Sequence, residues 1–170
     1  MKVGDILFVN GGTVFSSVIC LFTRSEFSHV AQVIGFAPNG KAIIAEDLYN
    51  GSIIRSFSYK KGSFKVMSWK KPLTSNEKKK LAQYHYDTAG TFYAYHQLFI
   101  IAFYLLFGIS RKRNKKFSRK DLSICSEKIH ETSIFIGRDL RPDLCTNLVT
   151  PHDLYESRHL LKADKLLKFE

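Results

Sequence analysis

Three cysteines in 170 residues, Cys20, Cys125 and Cys145, are odd in number and form no CxxC pair, which excludes a disulfide-stapled module and a zinc ribbon. Free thiols are expected. No apolar run is long enough to cross a bilayer. The nearest, Leu98 to Ile109 (LFIIAFYLLFGI), falls well short of the roughly 20 residues a span needs, so a buried or interfacial helix is expected there in preference to a membrane anchor, which stands as a third reading. The opening residues, MKVGDILFVN, lack a basic stretch followed by an apolar one, so no secretory signal is read and a cytoplasmic location is the default expectation, with peripheral membrane contact left open. No spacing of His, Cys, Asp and Glu resembles a metal site, and none is expected. There is no internal repeat and no second domain is called for, so residues 1–170 are read as one domain.

Acidic residues are also scarce, 15 against 26 Lys and Arg, for a net charge of +11. Seven of those eleven surplus charges lie in Arg111–Lys120 (RKRNKKFSRK), which holds no acid. Such a run reads as a solvated loop, or as a surface for anionic lipid or nucleic acid. Its place directly after the apolar helix favours a membrane surface, met through residues 98–120, over nucleic acid.

What the chain does contain, 45% apolar and 14% aromatic residues, is enough to build a core. Up to Trp69 it reads as short strands with one early helix from Thr13 to about Phe22. Strands are expected at Asp5–Val9, Ser28–Gly35, Lys41–Ala45, Ser52–Phe57 and Phe64–Trp69. Asn39-Gly40 and Asn50-Gly51 supply hairpin turns between successive runs, which suggests an antiparallel meander curling toward a small barrel. From Thr74 the period changes. Thr74-Ser75-Asn76-Glu77 fits a capping box, and helices are expected to about Asp87, from about Thr91 to Phe107, from about Ser123–Cys125 to Phe135 with Gly137 as the stop, and over Pro151–Ser157. The fold class is α+β.

Cys125 stands where a polar segment (Asp121-Leu-Ser-Ile-Cys-Ser-Glu) enters a helix. Helix N-termini carry partial positive charge and free N–H groups, which favour a thiolate and can hold an oxyanion. Cys20 reads as a buried small hydrophobe and Cys145 as a loop residue. A thiol nucleophile needs a base, and His29, which opens the apolar strand Ser28–Ile34, is held by a rigid backbone suited to aiming an imidazole. His85 and His96 read as helix-face residues, His152 and His159 as surface residues, and His130 lies too far along the cysteine's own helix to reach back. Glu46, at the end of Ala42–Glu46, can pair laterally with His29 and hold one tautomer; Asp47 points to the other face, and only one of the two can serve.

In order, Gly4-Asp5-Ile6-Leu7, Ser28-His29-Val30, Ile44-Ala45-Glu46, Cys125-Ser126-Glu127 and Thr150-Pro151-His152-Asp153-Leu154 resemble the circularly permuted papain-like amidases of the NlpC superfamily, the YiiX/YaeF-like branch related to lecithin retinol acyltransferase. The resemblance runs from Gly4 to about Ser157. It implies a papain-like α+β fold with a small antiparallel barrel or sheet packed against the cysteine helix, and a cysteine hydrolase or acyltransferase. By the same resemblance Cys125 matches the nucleophile, His29 the base and Glu46 the orienting residue. The substrate would be an amide, ester or thioester, either a cell-wall peptide or an acylated, amphiphilic molecule, and no cofactor is required. The rival reading is a non-catalytic papain-like module that binds anionic lipid or nucleic acid through its basic segment. It gives no reason for His29, Glu46 and Cys125 to occur together.

Overall fold

A computed structural model describes residues 1–10, 20–21, 25–48, 50–60, 62–93, 95–112 and 122–161. Most of the early helix expected at Thr13–Phe22, and most of the basic segment, residues 113–120, lie outside the described residues.

Strands β1 (Ile6–Val9), β2 (His29–Phe36), β3 (Ala42–Leu48), β4 (Gly51–Ser56), β5 (Phe64–Trp69) and β8 (Leu160–Leu161) form one antiparallel sheet in the order β4-β3-β2-β1-β5-β8. β1 is an uninterrupted apolar run because it is central and covered on both sides. Ile6 and Phe8 enter the main core with Val30, Met67 and Leu154. Leu7 faces the other way, onto Ala31, Val33, Ile44 and Val66, under Phe57, Tyr59 and Phe64. Phe8 also meets Phe27 and Tyr155, with ring centroids 5.4 and 5.3 Å away.

The expected curl into a barrel does not close. Among the described residues β4 and β8 remain two separate edges, so the sheet is open. β3 is longer than its apolar run suggested and continues through Glu46 and Asp47 to Leu48, because every residue in that stretch pairs with β4. β8, formed by the final apolar residues, pairs with β5 through Ser68–Leu161 and Trp69–Leu160.

Helix α1 (Ser75–Asp87) begins with the expected capping box: Thr74 Oγ1 accepts from Glu77 N–H, and the Glu77 carboxylate accepts from Thr74 N–H. The apolar segment divides. Phe92–Tyr93 forms a short strand, β6, parallel to β7 (Leu122–Ser123), and helix α2 follows over Tyr95–Leu106. Among the described residues no helix is long and apolar enough to cross a membrane.

Helix α3 (Cys125–Phe135) starts at the thiol and stops before Gly137, whose φ of 80° reverses the chain. It buries Ser126, Glu127, Lys128, His130, Thr132 and Ser133. Burial of so many polar groups is tolerated because they find partners. Ser126 donates to Val149 O at 2.7 Å, Lys128 to Thr91 Oγ1 at 3.2 Å, and His130 Nε2–H to Asp139 Oδ1 at 2.7 Å. Thr150-Pro151-His152-Asp153 is a second capping box opening helix α4 (Pro151–Tyr155). Arg111 pairs with Asp153 at 2.5 Å and donates to Leu148 O at 2.9 Å, so this member of the basic segment is an internal ion-pair partner and not a solvated charge.

Candidate active site

The geometry of the site follows from strand register. Ala31 of β2 stands opposite Glu46 of β3, so His29, two residues earlier on the same face, is the diagonal neighbour of Glu46. On the other flank Ile53 of β4 stands opposite Glu46, which makes Arg55 its second diagonal neighbour. Both diagonals are used. His29 Nε2–H donates to Glu46 Oε2 at 2.7 Å, and Arg55 Nε–H donates to Oε1. Tyr59 O–H also donates to Oε2, and the Arg55 guanidinium lies 5.1 Å from the Tyr59 ring centroid.

The Glu46 side chain is 0% exposed. Burial alone would raise its pKa, but hydrogen bonding and charge from His29, with Tyr59 and Arg55, hold it below its ordinary value of 4.5. Tyr59 is pushed the other way, first by burial and then by the carboxylate beside it. Asp47, one residue on, faces away and accepts from Ser52, its direct cross-strand partner.

His29 also meets Cys125. Charge and hydrogen bonding from Cys125 also act on the His29 ring, whose Nε2 is given to Glu46. Burial disfavours the imidazolium. The opposing charge of Cys125, hydrogen bonds to Cys125 and Glu46, and the Glu46 charge together outweigh that cost and push the His29 pKa up to about 10. Cys125 is the first residue of α3, after Ile124 at the N-cap, and is 5% exposed. Its backbone N–H belongs to the first turn, where helical N–H groups have no partner inside the helix.

His29, Glu46 and Cys125 are therefore neighbours, drawn from two adjacent strands and one helix start. The other candidates lie elsewhere. Cys145 is buried with Ile101, Ile124 and Leu148, and Cys20 is half-buried, more open than its apolar neighbours suggested. His130 is held by Asp139. His85 lies on the buried face of α1, donating Nε2–H to Gln32 Oε1 at 2.9 Å, and burial, aided by the nearby charge of Lys128, lowers its pKa to about 3. Arg55 and Tyr59 escaped the reading of the sequence. The Asn50-Gly51 signal marked the β3–β4 hairpin that brings Arg55 to Glu46, although Gly51 is itself the first paired residue of β4, opposite Leu48; Tyr59, beyond the end of β4, left none.

An open antiparallel sheet with a cysteine-bearing helix packed against it makes this an α+β fold. No family model matches the chain, and no curated protein sequence does. Among solved structures the chain is similar to the metalloprotein YiiX from Escherichia coli O157:H7, with a TM-score of 0.64 over 94% of this chain and 94% of that one, at 18% identity. The likeness is one of fold. Among the described residues no three His, Cys, Asp or Glu side chains gather into a metal-ligand group.

Proposed function

We propose that this protein is a cysteine-dependent hydrolase or acyltransferase of the permuted papain-like, NlpC type, acting on an amide, ester or thioester. The observation that carries the reading is the position of His29, which bonds the buried Glu46 carboxylate through Nε2 while its ring also engages the Cys125 thiol. A carboxylate that orients a histidine beside a thiol at a helix N-terminus is the arrangement a cysteine nucleophile requires.

In this reading the Cys125 proton passes to His29, and Glu46 holds the resulting imidazolium. The thiolate sulfur attacks the substrate carbonyl carbon, and the carbonyl oxygen takes up the negative charge facing the Cys125 N–H. Collapse breaks the bond to the leaving amine, alcohol or thiol, which takes the proton from His29, and an acyl-thioester remains on Cys125. His29, now neutral, takes a proton from water or another acceptor as that acceptor attacks the thioester, releasing the acyl group and restoring the thiol. Water makes the protein a hydrolase; a second nucleophile makes it an acyltransferase.

The test is the rate of iodoacetamide labelling of each cysteine against pH, read by peptide mass spectrometry, in the parent protein and in His29→Ala. Cys125 is expected to label fastest despite its burial, and to lose that advantage without His29. If Cys125 labels no faster than Cys20 and is indifferent to His29, the reading fails. Incubation with acyl thioesters and amides, followed by intact mass, is expected to trap an acyl adduct on Cys125.

A further inference from the structure

From Leu98 to Leu106 helix α2 carries only apolar side chains and Tyr104, the pattern of a helix covered on all sides, yet one side of it has no cover among the described residues. Its inner side is accounted for: Ile101, with Ile100, Tyr104 and Leu105, packs on Ile124, Cys145 and Leu148. Its outer side is not. Phe99 is 78% exposed, Phe103 52%, Leu106 66%, and Phe107, just past the helix end, 68%. These positions are spaced i, i+4, i+7 and i+8, so they form one stripe, and the rings of Phe103 and Phe107 lie 4.6 Å apart along it. Four large apolar side chains in one stripe exceed the scattered exposure of ordinary surfaces.

The chain itself indicates what covers the stripe. Arg111 is fastened to Asp153 and Leu148 O, which fixes where the basic segment leaves the body, a few residues beyond Phe107. From Lys112 to Lys120 the sequence carries six further Lys and Arg and no acid. We propose that the outer face of α2 docks on an anionic lipid surface, with Phe99, Phe103, Leu106 and Phe107 entering at headgroup depth and the basic residues that follow meeting the lipid charge. A helix this short lies on such a surface and does not span it. A second copy of the chain is disfavoured as occupant, because a chain of net charge +11 repels its own copy, whereas an anionic surface attracts it. Since the inner side of α2 rests on Ile124, docking sets the Cys125 end of α3 near the lipid. The inference does not depend on the catalytic reading.

The experiment is co-sedimentation of the full chain with vesicles of phosphatidylcholine alone and of phosphatidylcholine mixed with phosphatidylglycerol. It includes the variants Phe99→Ser/Phe103→Ser, Lys115→Glu/Lys116→Glu and Cys125→Ser. The parent and Cys125→Ser are expected to bind the mixed vesicles and to be released by salt. Each double variant is expected to bind about tenfold or more weakly while its thermal midpoint and its Cys125 labelling stay unchanged. No binding to either vesicle overturns the proposal. So does binding that ignores the phenylalanine substitutions, which would make the basic segment a general polyanion site, and so does a lipid-free dimer that Phe99→Ser/Phe103→Ser dissociates.

Discussion

Glu46 lies diagonally across the β2–β3 pair from His29 and accepts its Nε2–H at 2.7 Å, while the opposite diagonal neighbour, Arg55, and the hydroxyl of Tyr59 hold the same carboxylate. One buried acid thus receives three donors, and one of them, His29, also interacts with Cys125. The carboxylate is locked on one side so that the imidazole can be aimed on the other.

Cys125→Ser is expected to abolish acyl transfer to the protein and turnover of any substrate. Because the change is nearly isosteric and the site is small, stability should move by only about 1 kcal/mol. Intact mass after incubation with an acyl thioester and a thermal melt decide this together: a persisting adduct at position 125, or an unfolded variant, contradicts it.

Glu46→Gln keeps the shape of the side chain but offers an amide to donors that need a carboxylate. Turnover is expected to fall about a thousandfold or more, and the pH profile to lose the limb that reports His29. Glu46→Ala should also destabilise the fold by about 3 kcal/mol, since Arg55 and Tyr59 are left facing a void. Denaturant melts and pH–rate profiles of both variants separate positioning from stability. An unchanged profile in Glu46→Gln would show that the carboxylate only packs.

Stability should depend on pH with a maximum near pH 6.5, for reasons carried by three side chains. His29, raised to about 10, binds its proton more tightly when folded, so its contribution is complete below 6.5 and disappears as pH rises through about 10. His85 is lowered to about 3, so the unfolded chain takes up the proton first and stability declines as pH falls from 6.5 toward 3. Glu46 is held below 4.5, so its contribution is present above that value and lost as pH falls through the lower folded value. Urea midpoints against pH test the sum. His29→Ala should flatten the alkaline limb and His85→Gln the acid one; a limb that survives its own substitution rejects that assignment.

Gly51→Ala should cost about 1–3 kcal/mol. Gly51 has φ of 110°, and an added Cβ would lie 2.6 Å from Thr91 O, a backbone atom that already accepts from Ser52 N–H at 2.9 Å. The clash falls where β4 is tied to the segment leading into β6, so amide exchange should quicken at Ser52 and Gly90 before the rest of the sheet. An alanine variant as stable as the parent would mean that this junction opens freely.

The parts of this protein that its sequence alone determined are those written in contiguous residues. The capping box at Thr74, the β-rich runs, the start of a helix at Cys125 and its stop at Gly137 depend on neighbours a few positions apart, so their signals are complete within a short window. The Asn39-Gly40 and Asn50-Gly51 turns extended that window to strand pairing, and with it to the proximity of His29 and Glu46. Tertiary structure decided the rest. That the sheet stays open and one side of α2 is exposed among the described residues, that Tyr59 closes the carboxylate, that Arg111 is an internal ion-pair partner, and that most polar side chains from Ser126 to Ser133 are buried are properties of surfaces from distant segments meeting. Whether a polar group is stabilised or penalised depends on the partner it finds on burial, and that partner is supplied by the packing of the whole chain.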